Sequence, residues 1–440
     1  MWIWALTAHA VSLTEIVDRH TQAVGDIDRT RCAPILQAFF DELEPIDPAE
    51  VDPAEVRKSG AVLIDSVFQY RLAVHSKLQE LYNQHTLSSD CIQGARRADL
   101  AGRYLQDALY LALGEQAPSD WVVAPGLDFG SPIDDLRSGD LVVSRGDALS
   151  SAGIAHMGRI DSQFSHNALI YVDAAGRAHT VEAYLERGAI TQDAEDFLEH
   201  HLGRMVVLRY RDPELSALAA RRAYERVRNG SPFDYDADFD ADDHRALFCS
   251  EVGPWAFGSL VADGPLDLPF SPTVFDTENN AALFSALGIP VAVTSAPADL
   301  LYDPRFEIVA EWRDVSKLDS MRRHDAVVES LFTWMEELDY KLDSPGFDRF
   351  FVSFGLTMRR AGFFPSRLHP RGDKEFLTGS LTLQTAGLGL LDAFEAELDG
   401  ADTQQLTYQG MRDILEGIRE RDLEAWRSGG DVVFHDRLHP

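Results

Sequence analysis

The stretch from Ser165 to Tyr184 constrains the fold more than any other part of this chain. Two strand-length runs, His166 to Val172 and Ala178 to Tyr184, flank the tripeptide Ala174-Ala175-Gly176. Gly176 suits the left-handed position that closes a three-residue hairpin loop. Such a loop pairs Asp173 with Arg177, and counting back sets Ala168 opposite Glu182 and His166 opposite Tyr184. Alternate residues of a strand share a face, so His166, Ala168, Glu182 and Tyr184 are expected on one side. His166 and Glu182 then become diagonal neighbours within reach of each other. A two-residue loop would put them on opposite faces, so the pairing depends on the register.

The texture on either side of this hairpin suggests the wider organisation. At 440 residues the chain is long enough for two or three domains. Residues 1–125 read as helical: Val62, Val67, Tyr70, Leu72 and Leu78 recur at helical spacing, as do Leu100, Tyr104, Leu105 and Leu109. The prolines at 45, 48 and 53 separate helices, because proline is not tolerated in a helix interior. Further strand-like runs follow at Trp121 to Val123, Asp140 to Ser144 and Arg204 to Tyr210. A helix is expected from Pro213 to Arg228, with proline in its first turn, and another after Cys249. Beyond about 316 the chain reads as helical again, with Leu331, Trp334, Met335, Leu338 and Leu342 in register and Gly387 and Gly389 suggesting close packing. The expected class is α+β: a central block at 126–315 with a small antiparallel sheet, flanked by helical regions at 1–125 and 316–440.

Charge and cysteine usage narrow the partners. The chain carries 72 acidic against 40 basic side chains, a net charge of -32. Such a surface repels phosphate backbones, so nucleic acid is disfavoured as a partner. No run approaches the roughly 18 apolar residues of a membrane helix, so no integral membrane segment is expected. The apolar start, Met1 to Ala10, lacks a basic residue before it and reads as part of the first helix rather than a secretory leader. Three cysteines, Cys32, Cys91 and Cys249, do not read as a disulfide framework or a metal set. They fit a reduced compartment, so a cytoplasmic location is expected, with the cell envelope left open.

The chemistry points to Cys249. In Leu247-Phe248-Cys249-Ser250-Glu251-Val252 an apolar pair leads into a cysteine at what reads as a helix start. A helix N-terminus and a neighbouring imidazolium both favour the thiolate. A carboxylate beside an imidazole fixes its tautomer and favours its charged form. Cys249 as nucleophile, His166 as base and Glu182 as the residue orienting that base therefore make a plausible set. Pro254 is compatible with a helix here only if the helix begins close to Cys249.

The ordered set resembles a known family. Gly139-Asp140-Leu141-Val142, Ser165-His166-Asn167-Ala168-Leu169-Ile170, Val181-Glu182-Ala183, Pro232-Phe233-Asp234-Tyr235-Asp236 with Phe239, and Phe248-Cys249-Ser250-Glu251 are together similar to the YiiX/YebB-like branch of the NlpC-type papain-like hydrolases. In that branch the chain is circularly permuted, so the His strand and its polar partner precede the Cys helix. The resemblance covers about 135–260. It implies a papain-like core and cleavage of a peptide or N-acyl bond through a thioester. It also implies that Tyr235 contacts substrate or the oxyanion, although filling the core beside Phe233 and Phe239 is an equal alternative. Tyr184, on the His166 face, is the second candidate substrate contact.

Neither a cofactor nor a metal is called for. The crowded carboxylates from Asp234 to Asp243 lack the glycine and glutamate of a calcium loop and read as a solvated acidic loop. His200-His201 lacks a matching ligand set. The expected partner is a small-molecule, peptide or acyl-lipid substrate, and the oligomeric state stays open. Two other functions compete: a thioester-forming lipid acyltransferase, and a non-catalytic helical interaction protein around a degenerate core. Retinol-acyltransferase-like relatives usually carry a second His where this chain has Glu182, which favours hydrolysis.

Overall fold

The computed structural model describes residues 12–44, 53–127, 129, 133–185, 187–199, 202–229, 233–242, 244–258, 260, 269–275, 281–344, 349, 352–353, 356, 374–398 and 406–440. The expected helix over Met1 to Ala10, Pro45, Pro48, His200-His201, Pro232 and Asp243 lie outside them. The chain forms two compact units, 1–124 and 125–440. Residues 316–440 thus cluster with the central block.

The first unit is helical: α1 (Leu13–Val24), α2 (Cys32–Leu43), α3 (Pro53–Asn83) and α4 (Ser89–Leu113), followed by the short strand β1 (Trp121–Val123). Of the stripe expected on α3, Val67, Tyr70 and Leu78 are buried and Val62 is not. Leu63, Ile64 and Val67 enter the core, while Val62 is 67% exposed. Arg71 and Arg103 are buried in this core and both engage Asp99. Cys32 and Cys91 form a disulfide with a Cα separation of 5.2 Å. This corrects the reading that the three cysteines make no disulfide framework, and it removes the cysteine argument for a reduced compartment. The two helices pack closely because Gly94 presents no side chain to Leu36, which a Cβ would meet at 3.2 Å.

The second unit is built on an antiparallel sheet with α-helices around it. Its strands are β2 (Leu141–Gly146), β3 (His166–Val172), β4 (Ala178–Tyr184), β5 (Gly188–Asp193) and β6 (Leu202–Tyr210), and later β9 (Phe306–Arg313). They lie in the order β9-β6-β2-β3-β4-β5. Between them run α5 (Leu149–Ala155), α6 (Ala194–Glu199), α7 (Pro213–Arg228) and α8 (Val252–Gly258), then a β7–β8 pair (Thr273–Val274 and Val293–Thr294) around α9 (Ala281–Leu287). The helix expected from Pro213 is capped by the Asp212 carboxylate, which accepts from the N–H groups of Glu214 and Leu215.

The Gly-Asp-Leu element has a structural explanation. Gly139 takes φ +93°, and a Cβ there would lie 2.4 Å from Ser216 of α7. Buried Asp140 accepts two hydrogen bonds from Arg209 of β6, at 2.8 and 2.7 Å, tying two strands together. α7 and α8 cover the sheet face that carries Leu141, Leu169 and Tyr171. Tyr171 stacks on Tyr224 of α7 at 4.4 Å, and Gly253 of α8 comes so close to Leu141 that a Cβ would sit 2.8 Å from it.

A separate apolar core joins α9 to three long helices: α10 (Val315–Glu337), α11 (Lys374–Leu398) and α12 (Tyr408–Ser428). Leu149, Ala152 and Phe275 belong to it, and Met157 and Phe239 pack against it. Gly387 of α11 meets Leu149 of α5 at a distance that a Cβ would reduce to 2.6 Å. None of the described helices is long and apolar enough to cross a membrane.

Candidate active site

The hairpin supplies the first half of the site. Leu169 pairs with Val181, Ile170 with Thr180 and Val172 with Ala178, the register that a three-residue loop sets. Asp173 N–H donates to the Arg177 carbonyl at 2.9 Å, and Gly176 adopts φ +81°. His166 opens β3, and its Nε2 lies 2.8 Å from Glu182 Oε2. Glu182 is wholly buried and is held on four sides. The Tyr184 hydroxyl donates to Oε2 at 2.8 Å, the Gln192 amide donates to Oε1 at 2.9 Å, and the Thr180 hydroxyl donates to Oε1. The Tyr184 ring stacks on the imidazole with centroids 4.9 Å apart.

The second half comes from a later segment. Leu247 N–H donates to the Asp234 carbonyl at 3.0 Å, which lays 234–236 beside 246–247. Phe248 is extended, and the chain then enters a 3-10 turn, Cys249–Glu251, that runs into α8. Pro254 therefore falls in the first turn of α8, where its missing N–H leaves no gap. Cys249 is buried, and its Sγ lies 3.9 Å from both the Ser165 carbonyl oxygen and Ser250 Oγ. The thiol group interacts with the His166 ring and with the Asn167 backbone N–H.

The electrostatics favour charge separation. Burial alone would push the His166 ring towards neutrality, but its contacts with Cys249 and Glu182 prevail and raise its pKa to about 10. Burial likewise pushes the Cys249 thiol up, yet the hydrogen bond and charge of His166 bring it below the ordinary thiol value. Glu182 stays ionised despite its burial, because His166, Thr180 and Tyr184 all stabilise the charge. Glu251 behaves in the opposite way. Burial, with the charges of Asp236, Asp240 and Cys249, raises its pKa to about 9, although the Phe248 N–H donates to its Oε2 at 3.0 Å.

The structure thus brings Cys249, His166 and Glu182 together. Tyr235 lines an apolar cleft that contains Cys249, and its ring lies 6.4 Å from that of Phe239. Tyr184 lies against the imidazole, with its hydroxyl on Glu182. The acidic loop is only partly solvated: Asp236 is buried and accepts from the N–H groups of Asp238 and Asp240 at 2.8 and 2.9 Å. Thr180 and Gln192 were not foreseen. Thr180 shares the Glu182 face by strand alternation, and that pattern was available to find it. Gln192 sits across from Thr180 on β5, a strand that the sequence reading did not contain. No family model matches the chain, and no curated protein or solved structure matches it.

Proposed function

We propose that the protein is a cysteine hydrolase that cleaves an amide-type acyl bond through a thioester at Cys249. One observation carries this. The His166 ring interacts with the buried Cys249 thiol while Glu182, held by three further donors, meets its Nε2 at 2.8 Å, and these contacts shift the thiol down and the imidazole up against their burial. Burial without mutual stabilisation would neutralise both groups. A buried thiol with no catalytic task is an inert small hydrophobe, not a thiolate.

The thiolate attacks the acyl carbon. The backbone N–H of Cys249, at the start of its turn, is the donor offered to the oxyanion. With Nε2 held by Glu182, Nδ1 of His166 gives its proton to the leaving nitrogen. The C–N bond breaks and a thioester remains. The now neutral imidazole takes a proton from water, whose oxygen attacks the thioester and releases the acid and the thiolate. Glu182 keeps the ring oriented throughout.

The same proposal takes the sheet and the Cys turn as a permuted papain-like core. Its support is the chain order, with the His and Glu strands preceding the cysteine, and the packing of α7 and α8 on one face of that sheet. Intact-mass spectrometry after incubation with acyl substrates tests the chemistry. Wild type should gain the acyl mass and Cys249→Ser should not; equal labelling of both would sink the proposal. Adding an amine or alcohol acceptor reads whether the acyl group passes to water or to that acceptor.

A further inference from the structure

We infer that His156 is a positioning residue of the proposed hydrolase: its imidazolium clamps the segment 154–162, which walls one side of the cleft at Cys249, onto the helical C-terminal region. The inference rests on the catalytic reading above. Ile154, Ala155, Met157, Gly158, Ile160 and Ser162 all line the cleft that contains Cys249. The segment leaves α5 and folds back on itself, where the Ser162 N–H donates to the Ala155 carbonyl at 3.0 Å. It is tied to the end of β7: Gly158 pairs with Phe275, and the Arg159 N–H donates to the Val274 carbonyl at 3.3 Å. His156 supplies a further tie. Its Nε2 lies 3.3 Å from Asp325 Oδ1 of α10, and its Nδ1 lies 3.7 Å from Asp161 Oδ2 of the same segment.

Two carboxylates on one ring require its charged form. A neutral imidazole offers one N–H and one lone pair, so one of the two carboxylates would face a lone pair. Doubly protonated, the ring meets both. Arg145 of β2, 1% exposed, donates to Asp325 as well, so a sheet strand, α10 and the cleft wall meet at one carboxylate. Burial alone would neutralise the ring, but Asp161 and Asp325 outweigh burial and the opposing charge of Arg145 and raise its pKa to about 9. The neighbouring groups keep their charge state around that pH. Arg145 stays protonated, and its charge with His156 holds Asp325 well below the usual carboxylate range. Burial lowers His324, the residue before Asp325, so it is neutral there. Tyr408 of α12 donates to Glu329, and burial with the charges of Glu329, Asp325 and Asp161 keeps its phenol protonated. His156 is therefore the member of this node whose proton decides whether the wall is held.

Hydrogen exchange read by mass spectrometry on the full chain tests the clamp, with p-nitrophenyl butyrate hydrolysis as a second readout. In wild type, exchange of the 154–162 backbone, corrected for the intrinsic effect of pH, should rise about tenfold from about pH 8 to about pH 10, as the protonated fraction of the ring falls. Exchange of β6 should stay within about twofold over the same range. His156→Gln should exchange this segment fast already at about pH 8, with no further rise. It should raise KM about fivefold and leave kcat within about twofold, because the wall meets the substrate alike in ground and transition states. Alkylation of Cys249 by iodoacetamide should be unchanged, since the wall does not touch the thiol's proton. Asp161→Asn keeps the ring and the Arg145–Asp325 contact and should loosen the same segment, which covers the case of a His156→Gln variant that does not fold. Exchange of 154–162 that is the same in wild type and both variants, or a loss of kcat with KM unchanged, would overturn the clamp while leaving the thioester chemistry standing. If the wild type neither hydrolyses the ester nor is alkylated at Cys249, the catalytic reading falls, and the exchange comparison still decides whether His156 holds the wall.

Discussion

Replacing Glu182 with Gln keeps the shape of the hydrogen-bonded cluster and removes its charge. Tyr184 and Thr180 are hydroxyl rotors, and the Gln192 amide can turn over, so the new amide can still find partners. What changes is the bond from His166 Nε2, 2.8 Å from Glu182 Oε2. A hydrogen bond to a charged group contributes about 1.5–3 kcal/mol and a neutral one about 0.5–1.5. The difference, about 1–1.5 kcal/mol, corresponds to roughly one pH unit. The charged ring is favoured by Glu182, so its loss should move the His166 titration down, from about 10 towards about 9. The sign for stability follows. A base whose folded pKa exceeds its unfolded value of about 6.5 adds stability that is whole below that pH and fades as pH rises through the folded value. In Glu182→Gln that fading should be complete about one unit earlier. Histidine ¹⁵N NMR reads the ring directly, with His166→Ala assigning the resonance. A midpoint that stays in place or rises in the Gln variant would refute the assigned role of Glu182. A wild-type ring that titrates near 6.5 would refute the ion pair itself.

Gly253→Val should lower stability by about 1–3 kcal/mol, because a Cβ at 253 would meet Leu141 at 2.8 Å; urea unfolding measures it, and an unchanged midpoint would show that the Cys turn does not depend on this close approach. Glu251 has a folded pKa of about 9, well above its ordinary value, so wild-type stability should fall as pH rises from about 4.5 to 9. Glu251→Gln should remove that slope, with melting temperatures that converge near pH 4.5 and separate by pH 8; parallel curves would contradict the neutral buried acid. The Cys32–Cys91 bond spans 59 residues, for which chain entropy suggests about 4 kcal/mol. Reduction should lower the unfolding midpoint of the first unit, and alkylation of both thiols without reductant would show that the bond is not formed.

The parts of the fold that were legible are those with a local physical cause. The hairpin register follows from one glycine at a left-handed position and a period of two. The start of α7 follows from Asp212 and Pro213 at its cap. What escaped was set by partners distant in sequence. The facing side of α3 depends on α1 and α4: helical spacing points Val67, Tyr70 and Leu78 to the core but does not mark Val62 as the exposed one. The disulfide joins helices with a third one between them in sequence, and two lone cysteines at that separation carry no pattern. β9, Phe306 to Arg313, has no clean alternation, because Ile308, Val309 and Ala310 are all buried, and it is defined by pairing with β6.

For the site, legibility divides along the same line. The hairpin count ties His166 to Glu182, and the resemblance of the ordered motifs adds Cys249 to them. Gln192 carries no such signal, because an exposed strand amide and a carboxylate clamp look alike in sequence. Glu251 was visible in its motif, yet its protonation depends on burial beside Asp236 and Asp240, which no local pattern encodes. The consequence is mechanistic. A second ionised carboxylate so close to Cys249 would oppose the thiolate through a low-dielectric interior. Kept neutral, Glu251 receives the Phe248 N–H at the entry of the Cys turn without adding that opposing charge. The two glutamates thus take different protonation states from their surroundings: Glu182, with four donors, holds its charge behind the imidazole, and Glu251, among like charges, gives its own up beside the sulfur.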